Sequence, residues 1–140
     1  LAAFVDASHR LANRETIAME DLRSETLVKF EGLYLSRSWS YIEKACQAHG
    51  FAPKTRSSHC SSVAEMFALC ADLKSSVLVV GKNFKDRIPS GISPFCRALS
   101  IIDADAVVPF YFLFRKDNEN KVLADLIDLI CDMPEPPLTF

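Results

Sequence analysis

The residues best suited to chemistry in this chain are cations and small polar groups in two loops. One carries Phe30-Glu31-Gly32 and Ser36-Arg37-Ser38; the other carries Gly81-Lys82-Asn83. Each follows a short run of β-forming residues, 26–30 and 77–80. In open α/β sheets, ligands sit outside the C-terminal ends of parallel strands, near helix N-termini. Ser36, Arg37 and Ser38 also precede a helix start, where free N–H groups and the helix dipole favour an anion. Arg37 and Lys82 together have the chemistry to hold a carboxylate. Glu31 would oppose an anion and is expected to pair with Arg37. Without a ligand, the same positions read as ordinary solvated loop residues.

Other reactive side chains are less well arranged. His59 and Cys60 are adjacent in a strand-like run, so their side chains should point to opposite faces and not form an activated thiol pair. His9 and His49 stand in a loop and at a helix end, with no second ligand at metal spacing. There is no G-x-S-x-G elbow and no phosphate-binding glycine loop. The chain therefore reads as a binding module and not an enzyme, and it needs neither a metal nor another cofactor.

The elements that must position the two loops follow from periodicity. Leu1 and Val5 bound a short apolar strand, and Asp6-Ala7-Ser8-His9 is a loop. Glu20-Asp21-Leu22 makes a helical turn with acidic residues near its N-terminus. After the strand at 26–30, Trp39, Ile42, Ala45 and Cys46 give helical spacing over 39–49, with Ser38 as N-cap and Gly50 at the C′ position. A more polar strand covers 55–59. Ser61 or Ser62 then caps a helix with Glu65 in a capping-box pattern and Val63, Met66, Phe67 and Cys70 on its buried face. Val77-Leu78-Val79-Val80 has the look of a strand inside a parallel sheet.

Beyond a polar connector at 83–95, strands are expected at 98–102 and 107–115. A helix follows over 117–130, with Val122, Leu123, Leu126, Ile127 and Ile130 on one wide apolar face. Pro134, Pro136 and Pro137 exclude a helix from the tail. The β-α-β-α-β order predicts an α/β fold, with a mainly parallel sheet flanked by helices.

Composition narrows the function classes. Of 140 residues, 49% are hydrophobic and 24% charged, as in a globular domain with its own core. The formal net charge is -2, and Lys and Arg are scattered singly, so no basic stripe is present to hold nucleic acid. The cysteines (Cys46, Cys60, Cys70, Cys96 and Cys131) are odd in number, with no C-x-x-C pair. That pattern fits reduced thiols in a cytoplasmic protein better than a disulfide framework or zinc site. No apolar run reaches the roughly 18 residues of a membrane span. The chain begins at Leu1 inside an apolar strand, as a fragment of a longer protein would.

Three motifs, in order, carry a family likeness: Ala7-Ser8-His9-Arg10-Leu11-Ala12, then Glu20-Asp21-Leu22, then Gly50-Phe51-Ala52-Pro53. The helix-then-buried-strand unit over 63–80 and the run Tyr111-Phe112-Leu113-Phe114-Arg115 extend it over nearly the whole chain. The sequence resembles the effector-binding domain of LysR-type transcription regulators. It departs from that pattern at Arg10, in place of a proline; at Lys74-Ser75-Ser76, in place of Gly-x-Gly; and at Gly81, in place of a proline.

The resemblance implies a two-lobed receptor like a periplasmic binding protein, with a small-molecule effector held between the lobes. Residues 1–8 would be the crossover strand from lobe one and 9–106 would be lobe two. Residues 107–132 would be the return strand and a lobe-one helix, followed by the tail at 133–140. DNA would be bound only through a domain absent from this chain. Without half of lobe one, the fragment is expected to form a homodimer or larger assembly through the strand at 1–5 and the helix at 118–131. A periplasmic solute-binding receptor and a flavodoxin-like enzyme lobe remain the alternatives.

Overall fold

In the computed structural model, residues 1–31, 38–103, 105–107 and 119–132 are described, together with 109, 113, 115 and 117. They divide into two units, Leu1–Val108 and Pro109–Phe140. The first holds six strands and two α-helices: β1 (Ala2–Asp6), β2 (Thr16–Ile17), β3 (Thr26–Glu31), α1 (Trp39–Ala48), β4 (Lys54–His59), α2 (Val63–Leu69), β5 (Leu78–Val80) and β6 (Cys96–Ile101). Single 3-10 turns stand at Met19–Leu22, Cys70–Asp72 and Lys82–Arg87.

One sheet has the order β2-β6-β1-β5, and a second pairs β3 with β4 in parallel. A parallel bridge between Leu27 and Val77 joins the two. The expected mainly parallel sheet is found only in part, because β1 is antiparallel to both β5 and β6 and makes the four-stranded sheet mixed. The other five strands share one direction, so β1 alone runs against the sheet.

Strand alternation divides the core in two. Leu1, Ala3 and Val5, with Leu27, Val77, Val79, Leu99 and Ile101, pack on one face against Trp39, Ile42, Ala45 and Cys46 of α1. Ala2 and Phe4, with Val28, Phe30, Leu78, Val80 and Cys96, pack on the other face against Met66 and Phe67 of α2. Successive side chains of a strand point to opposite faces, so an apolar run such as residues 1–5 is stable only with a helix on each side. All of β1 is buried and both its edges are paired. The expected self-association through residues 1–5 is thereby corrected, since that strand has no free edge. The edge strands are instead β2 and β4, and the Lys-Thr-Arg-Ser-Ser-His sequence of β4 is mostly exposed. A polar, charged edge discourages pairing with other chains.

The loops are fixed by side chains as much as by backbone. The imidazole of His9 is buried; its Nδ1 accepts the Leu11 N–H, which leaves Nε2 as the donor toward Glu25, 3.3 Å away. Arg10 binds the same carboxylate through Nε at 2.5 Å, and its Nη2 reaches the Asp21 carbonyl and the Ser24 hydroxyl. Helix α1 ends at Gly50, with φ of 74°. Arg23 covers that end by donating to the carbonyls of His49 and Gly50. At α2, Ser62 Oγ accepts the Glu65 N–H while the Glu65 carboxylate accepts the Ser61 N–H. The capping box therefore reaches back one residue further than in its usual form.

In the second unit, α3 (Lys121–Asp132) starts four residues later than its periodicity suggests, after Asn120 Oδ1 accepts the Val122 N–H. Val122, Leu126 and Leu129 are exposed. The described positions within 107–115 (Val107, Pro109, Leu113 and Arg115) are not in a strand. Tyr111, Phe112, Phe114 and the tail at 133–140 lie outside the described residues.

Candidate functional site

Chain direction, more than any single side chain, marks the site. From β3 the chain passes through α1 to β4 on one side, whereas from β5 it passes through the turn at Lys82–Arg87 to β6 on the other. Strands β3 and β5 are neighbours, joined by the Leu27–Val77 bridge through Val28 N–H to Val77 O and Val77 N–H to Thr26 O, each 2.9 Å. Two parallel neighbours whose connections leave in opposite directions form a topological switch point, and ligands bind in the crevice outside their C-terminal ends. Among the described residues, their pairing does not continue past this bridge toward Glu31 and Gly81.

Of the residues singled out from the sequence, Phe30, Glu31, Ser38, Gly81, Lys82 and Asn83 are described. Phe30 is buried in the α2-side core. Glu31 is exposed, and its carbonyl accepts the Cys60 N–H at 3.5 Å. Gly81 caps the 3-10 turn, and its carbonyl accepts the Phe84 N–H. A Cβ at Gly81 would lie 2.5 Å from Asn83 Oδ1, so the exposed Asn83 side chain lies against Gly81 and would have to turn aside for a larger residue. Lys82 is exposed. It stands near the start of β1: burial first, then the Lys82 charge, depress the basicity of the Leu1 amine. Gly32, Ser36 and Arg37 lie outside the described residues, and so does the expected Glu31–Arg37 pair.

Ser38 occupies the N-cap of α1 but makes no side-chain cap hydrogen bond, and the first turn has no acidic residue. This departs from the expected cap. Helical dihedrals at Ser38 (φ -74°, ψ -16°) replace the extended geometry that brings an N-cap hydroxyl onto the N–H groups. The helix end is left electrostatically positive. Lys29, missed in the sequence, adds a cation near it: its Nζ stands 5.7 Å from the centre of the Trp39 ring. A Lys ten residues before a Trp gives no sequence signal; only β3 and α1 together bring the two into contact.

The thiols are structural. Cys46, Cys60, Cys70 and Cys96 are free and buried. Burial pushes the Cys46 thiol up to about 11. Hydrogen bonding to the Cys96 sulfur, and then burial, raise the Cys70 thiol well above the ordinary range. His59 is exposed while Cys60 is buried, as expected for neighbours on opposite faces.

No family model and no curated protein matches this sequence. Solved structures do. The effector-binding domain of QuiR in complex with shikimate superposes with a TM-score of 0.54 at 18% identity, over 71% of this chain and 44% of that one. The regulatory domain of MetR, a LysR-family regulator from N. meningitidis, gives 0.54 at 17% identity, over 74% and 45%. The chain has the fold of LysR-type effector-binding domains. It spans less than half the length of either neighbour. Among the described residues, no helix is long and apolar enough to cross a membrane.

Proposed function

We propose that this chain is the ligand-sensing part of a LysR-type transcription regulator's effector-binding domain and senses a small carboxylate in the cytoplasm. It would supply lobe two of a periplasmic-binding-protein-like pair, without catalysing a reaction. The observation that carries the reading is the switch point between β3 and β5, in a fold shared with a domain that binds shikimate, a carboxylate. Lys82 and Arg37 would counter the charge of the effector. The N–H groups at Ser36, Arg37 and Ser38 would donate to its carboxylate at the α1 end, and Gly32, Gly81 and Asn83 would let the backbone approach. Phe30 and Glu31 would form the floor and rim, with Glu31 favouring effectors that also carry hydroxyl donors.

A ligand shifts a two-state equilibrium only by its differential affinity for the two states. An effector touching both lobes would favour one pose, and through it the operator contacts of a DNA-binding domain elsewhere in the protein. Homodimerisation would bring two such domains together, and the apolar stripe of α3 is the surface proposed for it.

A thermal-shift panel of shikimate and related hydroxy-carboxylates tests this reading, with calorimetry on the hits. Lys82→Ala and Arg37→Ala should each weaken binding by about tenfold, the loss of a charge-assisted hydrogen bond worth roughly 1.5 kcal/mol. Binding that neither substitution affects would place the effector elsewhere.

A further inference from the structure

The C-terminal end of α1 and the segment after β6 bring three metal-ligating side chains together. Nε2 of His49 lies 3.2 Å from Oδ1 of Asp105 and 3.8 Å from Oδ1 of Asp103. One donor atom from each residue falls within 4.8 Å of the other two. Ligand atoms bound at about 2.0–2.1 Å to a tetrahedral ion lie about 3.3–3.4 Å apart. The observed spacings bracket that value, so small side-chain adjustments suffice to receive an ion.

Two of the three residues are held from behind. Asp103 Oδ2 accepts the Met19 N–H at 2.7 Å, leaving Oδ1 toward His49. An outer bond of this kind orients a ligating carboxylate. His49 is set by the end of α1, where Arg23 donates to the His49 and Gly50 carbonyls and pairs with Glu20. Neither Asp103 nor Asp105 has a Lys or Arg within salt-bridge distance among the described residues. Two carboxylates thus face one imidazole, and a dication would remove that imbalance.

We propose that His49, Asp103 and Asp105 form a site for a divalent transition-metal ion, with zinc the best match to one imidazole and two carboxylates. Imidazole selects for zinc and its neighbours over magnesium or calcium, and three protein ligands leave a fourth tetrahedral position for water. The ion clips the end of α1 to the segment leaving β6, so it acts on stability, because folding brings its ligands together. This site is independent of the carboxylate reading.

The test is calorimetric titration of the chelator-treated chain with zinc chloride, alongside visible spectra with cobalt and melting curves with and without metal. One equivalent of zinc should bind saturably and raise the melting temperature, and cobalt should give the intense visible bands of tetrahedral coordination. His49→Gln and Asp105→Asn should each weaken zinc binding by about tenfold or more. His59→Gln should leave it unchanged. Asp105 is exposed, so Asp105→Asn keeps the test decisive even if His49→Gln disturbs the end of α1. Zinc binding unaffected by either substitution would assign the ion to other groups, such as the thiols, and overturn the proposal. So would the lack of saturable binding below about 1 mM.

Discussion

Glu25 shows how residue-scale chemistry holds the entry to the fold. Its carboxylate, nine-tenths buried, receives both His9 and Arg10. Glu25→Ala strips the acceptor from a buried imidazole and should cost about 1–3 kcal/mol in urea denaturation. Arg10→Ala should cost less, under about 1 kcal/mol, because that guanidinium is half exposed and water can replace its partner. Equal losses would mean that the His9–Glu25 contact contributes little. The motif around His9 was legible in the sequence, but its partner was not, since nothing in the spacing of His9 and Glu25 marks them as neighbours. Arg10, a departure from the family pattern, is explained by the same cluster.

Protonation of single groups gives a second expectation at this scale. The folded chain holds the Cys46 proton up to about 11, against an ordinary thiol value of 9.0. Below 9 both states keep the proton. Between those values the unfolded chain ionises first, so stability should fall as pH rises through that window. On the acid side, the Ala18 N–H and then Arg14 hold Asp21 below the usual carboxylate range. Its contribution is present above about pH 4 and lost as pH falls through the depressed value. Melting curves across both ranges, repeated for Cys46→Ala and Asp21→Asn, should show each slope reduced in its own variant.

At the scale of elements, the strands and helices of the first unit stand within a residue or two of where periodicity puts them, except β2, a two-residue strand that periodicity does not mark. Ser62→Ala removes the α2 cap and should cost about 1 kcal/mol in urea denaturation. Gly50→Ala forces a side chain into the left-handed region and should cost roughly 1–2 kcal/mol by the same measurement. Phe4, fully buried in the central strand and edge-on to Phe67, should cost about 3–5 kcal/mol on truncation to Ala. What the sequence hid was pairing. An apolar five-residue run looks the same whether its neighbours are parallel or antiparallel, and the same at an edge as in the centre. Reading residues 1–5 as an exposed strand failed because nothing local shows that β5 and β6 return to flank it. The uncapped start of α1 was hidden for a related reason, since Ser38 has the right side chain but helical dihedrals.

For the whole molecule, the family likeness was carried by three motifs whose residues act as structure: the His9–Glu25 loop, the turn at Met19–Leu22, and the Gly50 stop on α1. The candidate carboxylate site was legible as two loops, because the rule that ligands sit beyond parallel strand ends needs only strand order. The opposite departures of the chain from β3 and β5, which make those loops one place, needed the fold. The His49, Asp103 and Asp105 cluster was not legible, because its members are separated by the whole of β4, α2, β5 and β6.

On the proposed function, a small carboxylate binds at the β3–β5 switch point. An amide-resolved NMR titration of this chain with shikimate tests it most directly, because it detects weak binding and locates it. The resonances of Glu31, Ser38, Gly81, Lys82 and Asn83 should move together along one saturable curve, with those of His49 and Asp103 unchanged. Perturbations confined to residues away from the ends of β3 and β5, or none at saturating ligand, would contradict it.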